Sequence, residues 1–160
     1  MPSSENQKII VVGLGNDLIS DDGAGVYCAR ELKDRLGDIE NISIIEVDRA
    51  GFRFLEILHG FDIAFLVDAV WTGGEPGTVK ELSFDDFGGS MRLTGQHDMN
   101  IVTAIEFGKK IGYDMPETVR IWGIEAKDLT TIREECTEEV MKGVLKAADI
   151  IEREIRLLFQ

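Results

Sequence analysis

The chain has 160 residues, of which 44% are hydrophobic and 29% are charged, a balance typical of a globular protein rather than a disordered one. Its 17 Lys and Arg residues are outnumbered by 30 Asp and Glu residues, which gives a formal net charge of −13. Because so acidic a surface repels the phosphates of nucleic acids and of anionic membranes, we expect neither nucleic acid nor a membrane as a partner.

We predict one domain over residues 1–160, because no repeat, low-complexity tract or Pro/Gly/Ser-rich linker divides the sequence. Residues 1–7 have neither the basic nor the apolar region of a signal peptide. The two cysteines, Cys28 and Cys136, are too few for a disulfide framework or a cysteine-based metal site. We therefore expect a cytoplasmic protein.

Apolar runs and apolar stripes define the predicted elements. In chain order they are a strand at 8–12, a helix at 23–36, a strand at 42–47, a helix at 52–58, strands at 63–67 and 78–83, a helix at 98–111, a strand at 119–124 and a helix that begins after Thr137 and continues to Leu158. Cys28 belongs to the apolar stripe of the first helix, so we interpret it as a core residue. Thr137 is the predicted N-cap of the last helix.

The alternation of strands and helices predicts a three-layer α/β/α sandwich with a five-stranded, mainly parallel sheet. The Pro76-Gly77 connection is too short for a crossover helix, so we expect one antiparallel strand and a mixed sheet. The alternating run at 78–83 is typical of an edge strand. Functional sites in open sheets lie beyond the carboxyl ends of the strands, which here means the loops after Val12 and Val67 and the segment preceding Asp98.

The loop after the first strand, residues 13–25, opens like a dinucleotide-binding turn. However, Leu18 stands where the third glycine of that motif belongs, and Asp21 and Asp22 would repel a pyrophosphate at the start of the following helix. A nucleotide site is therefore the weaker interpretation. One of the two carboxylates, most simply Asp21, is expected to cap the helix, which leaves the second one surplus to capping.

Three polar residues fall at or beyond the carboxyl ends of the predicted strands, which we call the functional edge of the sheet. Asp68 follows the apolar run at 63–67 and is interpreted either as a turn residue or as a functional carboxylate. His97 lies just before the third predicted helix, where a lone histidine is also consistent with a solvated loop residue. Together, Asp22, Asp68 and His97 offer two oxygen ligands and one nitrogen ligand. Such an incomplete set, with open positions, suits a divalent transition-metal ion.

Longer motifs surround these residues. The loop after the first strand has the pattern Gly13-x-Gly15-Asn16-x-Leu18-x-x-Asp21-Asp22-Gly23-x-Gly25. The further motifs are Asp68-Ala69-Val70, Gly73-Gly74, Pro76-Gly77-Thr78-Val79, His97 and Gly123-Ile124-Glu125. With these motifs, nearly the whole chain resembles the NiFe-hydrogenase maturation endopeptidases.

This resemblance implies an α/β/α fold with a five-stranded mixed sheet, and it implies a peptidase activity. Members of the family remove a C-terminal extension from the hydrogenase large subunit after nickel has been inserted, so the implied partner is the large-subunit precursor. The resemblance also implies that Asp22, Asp68 and His97 are the catalytic and metal-contacting residues. The implied metal is nickel carried by the substrate, for which cadmium or zinc can substitute in crystals.

Two other functions remain open at this point. A nucleotide-binding α/β module would retain a dinucleotide and show no proteolysis. A chaperone-like protein would bind the large-subunit precursor without cleaving it, and the presence of Asp22 and Asp68 together with His97 argues against this alternative.

Overall fold

The computed structural model describes residues 6–48, 53–83 and 101–160. Within these ranges the strands are β1 (Ile9–Leu14), β2 (Ile42–Val47), β3 (Ile63–Val70), β4 (Val79–Leu82) and β5 (Thr118–Glu125). The helices are α1 (Ala24–Leu36), α2 (Arg53–Leu58), α3 (Ile101–Lys110) and α4 (Glu138–Leu158), together with a short 3₁₀ helix at Ser20–Gly23. The predicted order of strands and helices is confirmed, while the predicted helix residues 52 and 98–100 lie outside the described residues. Among the described helices, none is long and apolar enough to cross a membrane.

The described strands form a sheet in the order β2-β1-β3-β5-β4. The pairs β1–β2, β1–β3 and β3–β5 are parallel, whereas β4 lies at the edge and is antiparallel to β5. The predicted fold class, an α/β/α sandwich with a five-stranded mixed and mainly parallel sheet, is confirmed in the described part of the chain. The place of β4 also confirms the predicted edge strand.

Alternating side chains of the sheet contribute to two apolar cores. In β1, Ile9 and Val11 lie on the face that packs against α1 and α4. Ile10 and Val12 lie on the opposite face, which packs against α2 and α3. Because β1 and β3 are covered on both faces, their sequences are nearly continuous apolar runs, and this is why the pattern located them.

Strand β3 continues to Val70, beyond the predicted end at Val67. Asp68 pairs in register with Gly123 of β5, so it is a strand residue, and its interpretation as a turn residue is wrong. A carboxylate inside a buried strand interrupts the apolar run, which is why the sequence pattern ended this strand too early.

The first turn of α1 lies directly against the carboxyl ends of β1 and β3. A Cβ atom at position 25 would overlap the carbonyl oxygens of both Leu14 and Val67, so only glycine permits this approach of backbone to backbone. The contact brings the 3₁₀ helix that precedes α1 to the carboxyl end of β3. This is the edge of the sheet at which the sequence predicted a site.

Candidate functional site

Asp68 lies near the carboxyl end of β3 and is completely buried. Strand alternation places it on the same face as Leu66 and Val70, which belong to the core covered by α2 and α3. Ile101, the first residue of α3, is buried in that same core. Asp68 is therefore on the side of the sheet that α3 covers.

Asp22 lies in the 3₁₀ helix that precedes α1, and it is 9% exposed. Its backbone N–H donates to the carbonyl oxygen of Ile19 (2.9 Å), and its own carbonyl oxygen accepts a hydrogen bond from the N–H of Asn16 (3.3 Å). These bonds close the loop after β1 into a compact turn. Since the start of α1 packs on the ends of β1 and β3, Asp22 and Asp68 lie at the same edge of the sheet.

Asp21, the neighbour of Asp22, is completely buried and connects the 3₁₀ helix to two distant parts of the chain. Its Oδ2 atom accepts hydrogen bonds from the backbone N–H groups of Lys127 (3.0 Å) and Asp128 (2.8 Å). Its Oδ1 atom accepts one from the backbone N–H of Thr137 (2.7 Å), and the Thr137 hydroxyl donates to the same atom (3.1 Å). Donors of this kind stabilise a buried carboxylate, so Asp21 has a structural role.

This arrangement corrects the prediction that Asp21 caps the first helix. The N-cap of α1 is Gly23, and no side chain of the described residues caps it. Thr137 occupies the predicted N-cap position of α4, but its hydroxyl bonds to Asp21 instead of capping the helix. The physical reason is that several N–H groups together hold the Asp21 carboxylate more strongly than a single capping bond does.

Glu125 is a further buried carboxylate, and sequence reasoning assigned no role to it. Its Oε1 atom accepts hydrogen bonds from the backbone N–H groups of Thr72 (2.8 Å) and Gly74 (3.1 Å), and its Oε2 atom accepts one from the Thr72 hydroxyl (2.7 Å). These bonds hold the loop after β3 against the end of β5. The signal in the sequence was an acidic residue at the end of an apolar strand, the same signal that pointed to Asp68.

The structure describes two of the three predicted site residues. Asp22 and Asp68 lie at one edge of the sheet, whereas His97 lies outside the described residues, so the convergence of all three stays a prediction. Within the described ranges, no group of three His, Cys, Asp or Glu side chains could hold a metal ion. The other histidine, His59, accepts a hydrogen bond at Nδ1 from the backbone N–H of Asp114 (2.9 Å), which gives it a structural role.

Both cysteines are free and buried, which is unfavourable for a nucleophile. Cys28 on α1 and Cys136 just before α4 belong to the core between the sheet and these two helices. Burial raises the pKa of the Cys28 thiol to about 12. Burial, and to a smaller extent the charge of Asp21, raises the pKa of the Cys136 thiol to about 12. The prediction that Cys28 is a core residue is confirmed, and neither thiol is activated as a thiolate.

In an open α/β/α sheet, functional sites lie beyond the carboxyl ends of the strands, and buried carboxylates lie at those ends here. A family model described as HycI, hydrogenase maturation protease, matches residues 26–154. The chain therefore belongs to the hydrogenase maturation protease family, a family of peptidases.

Relatives support this family and this fold. A protein of Methanocaldococcus jannaschii whose name places it among the hydrogenase maturation proteases is 31% identical over 156 residues, covering 95% of this chain and 99% of that protein. The hydrogenase maturating endopeptidase HybD from E. coli has a TM-score of 0.76 at 19% identity, covering 94% of this chain and 93% of that chain. The NiFe-hydrogenase maturation protease HybD from Thermococcus kodakarensis has a TM-score of 0.72 at 23% identity, covering 93% of this chain and 99% of that chain. The two structural similarities show a shared fold.

The hydrogen bonds of Asp21 predict a large cost for its removal. We expect Asp21→Ala to lower the free energy of unfolding by roughly 3 kcal/mol, because it removes the buried acceptor of several partly buried N–H groups. Urea denaturation followed by circular dichroism measures this change. As a matched control, Asp34→Ala on the exposed face of α1 is expected to change stability by less than about 0.5 kcal/mol. Equal stabilities of the two variants would contradict the structural role of Asp21.

The burial of the two thiols predicts that the stability of the fold depends on pH. Because folding raises both thiol pKa values from 9.0 to about 12, the stability that the thiols contribute is fully present below pH 9.0 and is lost as the pH rises toward about 12. At pH 8 we expect a thiol-specific disulfide reagent to react slowly with the native protein and completely in urea.

A folded variant with Cys28→Ala and Cys136→Ser is expected to retain peptidase activity, and complete loss of that activity would indicate a thiol enzyme.

Proposed function

We propose that this chain is an endopeptidase that removes the C-terminal extension of a NiFe-hydrogenase large-subunit precursor after nickel has been inserted. Membership of the hydrogenase maturation protease family supports both the reaction and the partner. The observation that carries the proposal is the burial of two acidic side chains, Asp22 and Asp68, at the functional edge of the sheet. Acidic side chains at such an edge can contact a divalent metal ion of the substrate and can accept a proton from the attacking water.

The proposal extends to the metal: Asp22, Asp68 and His97 contact the nickel ion that the precursor carries. Buried carboxylates attract a nearby cation more strongly than exposed ones, because the protein interior screens charges less than water does. Two carboxylate oxygens and one imidazole nitrogen suit a divalent transition-metal ion and leave positions open. Thiolates of the precursor fill these positions, so the ion identifies a precursor in which nickel insertion is complete.

The position of α3 supports the inclusion of His97 among the proposed metal-contacting residues. This helix begins at Ile101, which follows His97 closely in the chain. Ile101 is buried on the same face of the sheet on which Asp68 lies. His97 precedes Ile101 by four positions, and this short separation is the basis for including its imidazole in the proposed site.

Hydrolysis requires the attack of water on the peptide carbonyl carbon and the transfer of a proton to the departing amine. The carboxylate of Asp22 or of Asp68 is this chain's candidate to accept the proton of that water and return it to the amine. The nickel of the precursor is the alternative activating group, acting as a Lewis acid on the carbonyl oxygen. Attack by a thiol is not part of the proposal, because both cysteines are buried and have raised pKa values.

Nucleotide binding has no support at the start of α1. Phosphates dock on N–H groups at a helix N-terminus, but here Asp21 and Asp22 occupy the turn that leads into the helix. Two buried carboxylates at this place repel a dianion. The remaining alternative, binding of the precursor without cleavage, is separated from proteolysis by the experiment below.

Conservative changes at the two carboxylates test the reaction. We expect Asp22→Asn and Asp68→Asn to slow cleavage of a nickel-loaded precursor by at least about 100-fold, because the amide keeps the shape of the side chain but neither binds a cation nor accepts a proton well. The wild type is expected to ignore the nickel-free precursor. Mass spectrometry of the large subunit after incubation, with and without nickel, measures both effects.

Asp34→Asn, at an exposed position of α1, is the matched control and is expected to cleave like the wild type. Circular dichroism verifies that all variants are folded. Equal cleavage of nickel-loaded and nickel-free precursors would exclude nickel sensing, and binding of the precursor by the wild type without any cleavage would favour the chaperone-like alternative.

The metal contacts have a structural test of their own. In crystals soaked with cadmium or zinc, we expect Asp22, Asp68 and His97 to lie about 2.0–2.6 Å from one ion. His97→Ala is expected to weaken the binding of that ion in isothermal titration calorimetry while leaving the fold intact. An ion bound elsewhere, or carboxylates that do not share it, would refute the common site.

A further inference from the structure

A small pocket opens between the loop after β3 and the loop after β5. Its volume is about 290 Å³, and it is lined by Trp71, Lys127, Asp128, Leu129 and Thr130. Trp71 directly follows β3 and is 53% exposed. The opposite wall contains the two residues whose backbone N–H groups bind Asp21, so the pocket adjoins the edge of the sheet that carries Asp22 and Asp68.

The two charged residues of the pocket are engaged by other groups of this chain. The ammonium group of Lys127 forms an ion pair with Glu139 (Nζ···Oε1 2.8 Å). The Oδ1 atom of Asp128 accepts hydrogen bonds from the backbone N–H groups of Thr130 and Thr131, each at 3.0 Å. With these charges already engaged, the lining residues Trp71 and Leu129 favour an apolar group.

Both walls of the pocket are held in place by buried carboxylates. Glu125 binds the backbone of the loop that begins with Trp71, through Thr72 and Gly74. Asp21 binds the backbone of the opposite wall at Lys127 and Asp128. A preformed pocket loses little conformational entropy when a ligand enters it, so these bonds favour binding.

We propose that this pocket binds one apolar side chain of the peptide segment next to the cleaved bond. The inference rests on the proposed peptidase function and adds a determinant of its substrate specificity. A volume of about 290 Å³ lies at the low end of the range for ligand pockets, about 300–1,000 Å³, and is large enough for a single apolar side chain. Tryptophan is also among the residues that most often dominate binding energy when they contact a partner.

A double-mutant cycle between enzyme and precursor tests this contact. Precursor residues within about four positions of the cleaved bond are changed one at a time to alanine, and each variant is assayed with the wild type and with Trp71→Ala. We expect Trp71→Ala to lower kcat/KM for the unchanged precursor about tenfold, mainly by raising KM. At one apolar precursor position, the alanine change is expected to cost the wild type a similar factor and to cost Trp71→Ala nothing further.

Two enzyme variants separate binding in the pocket from a general structural effect. Trp71→Phe keeps an aromatic ring and is expected to restore most of the affinity. Leu157→Ala removes an equally accessible apolar side chain near the end of α4, 57% exposed, and is expected to leave KM unchanged. A loss for Trp71→Ala that is the same on every precursor variant, or that Leu157→Ala reproduces, would overturn the proposal.

Fluorescence gives a readout that does not depend on cleavage. The chain has 2 tryptophans, and the second, Trp122, is 8% exposed, so Trp122→Phe leaves Trp71 as the only tryptophan of this chain, and the spectrum of the precursor alone is subtracted. Precursor binding is expected to shift the emission of Trp71 to shorter wavelength. If the precursor is cleaved, but the emission does not shift and Trp71→Ala does not raise KM, the pocket proposal is wrong and the peptidase proposal stands. If the emission shifts without cleavage, Trp71 contacts the precursor but the peptidase proposal is wrong, and with it the placement of the pocket next to a cleaved bond. No binding at all contradicts both.

Discussion

The arrangement of this edge of the sheet depends on one buried charge, the carboxylate of Asp21. Burying a charge is costly unless donors surround it, and backbone N–H groups that leave water need acceptors of their own. Both requirements are met at once, because the donors come from Lys127, Asp128 and Thr137. As a result, the 3₁₀ helix, the loop after β5 and the start of α4 are joined at one point, and Asp22 is fixed beside them.

Close packing adds a second constraint. The glycine at position 25 allows the first turn of α1 to contact the ends of β1 and β3, which draws acidic residues from separate segments to one edge. These carboxylates divide into two pairs. Asp21 and Glu125 bind backbone donors and hold the surrounding loops, whereas Asp22 and Asp68 are the pair that we propose to meet the substrate's cation. The structural pair supplies the rigid support that a site of this kind needs.

The fold could be predicted because buried parallel strands and amphipathic helices leave local patterns, as β1, β3 and α4 do. The roles of Asp21 and Glu125 could not be predicted, since their partners are distant in sequence. Lys127 lies 106 positions after Asp21, and Thr72 lies 53 positions before Glu125. Local spacing favoured a helix cap for Asp21, and only the tertiary structure brings the competing N–H groups to it. The position of His97 stays a prediction, because it lies outside the described residues.

The use of main-chain donors has a consequence for the evolution of this edge. Asp21 binds the N–H groups of Lys127 and Asp128, and Glu125 binds that of Gly74, a group that every residue type except proline carries. The residues at these loop positions can therefore be substituted while the loop backbone keeps its path. Two acidic residues hold much of this rim through main-chain donors, so a peptidase of this architecture can change its substrate preference without rebuilding its scaffold.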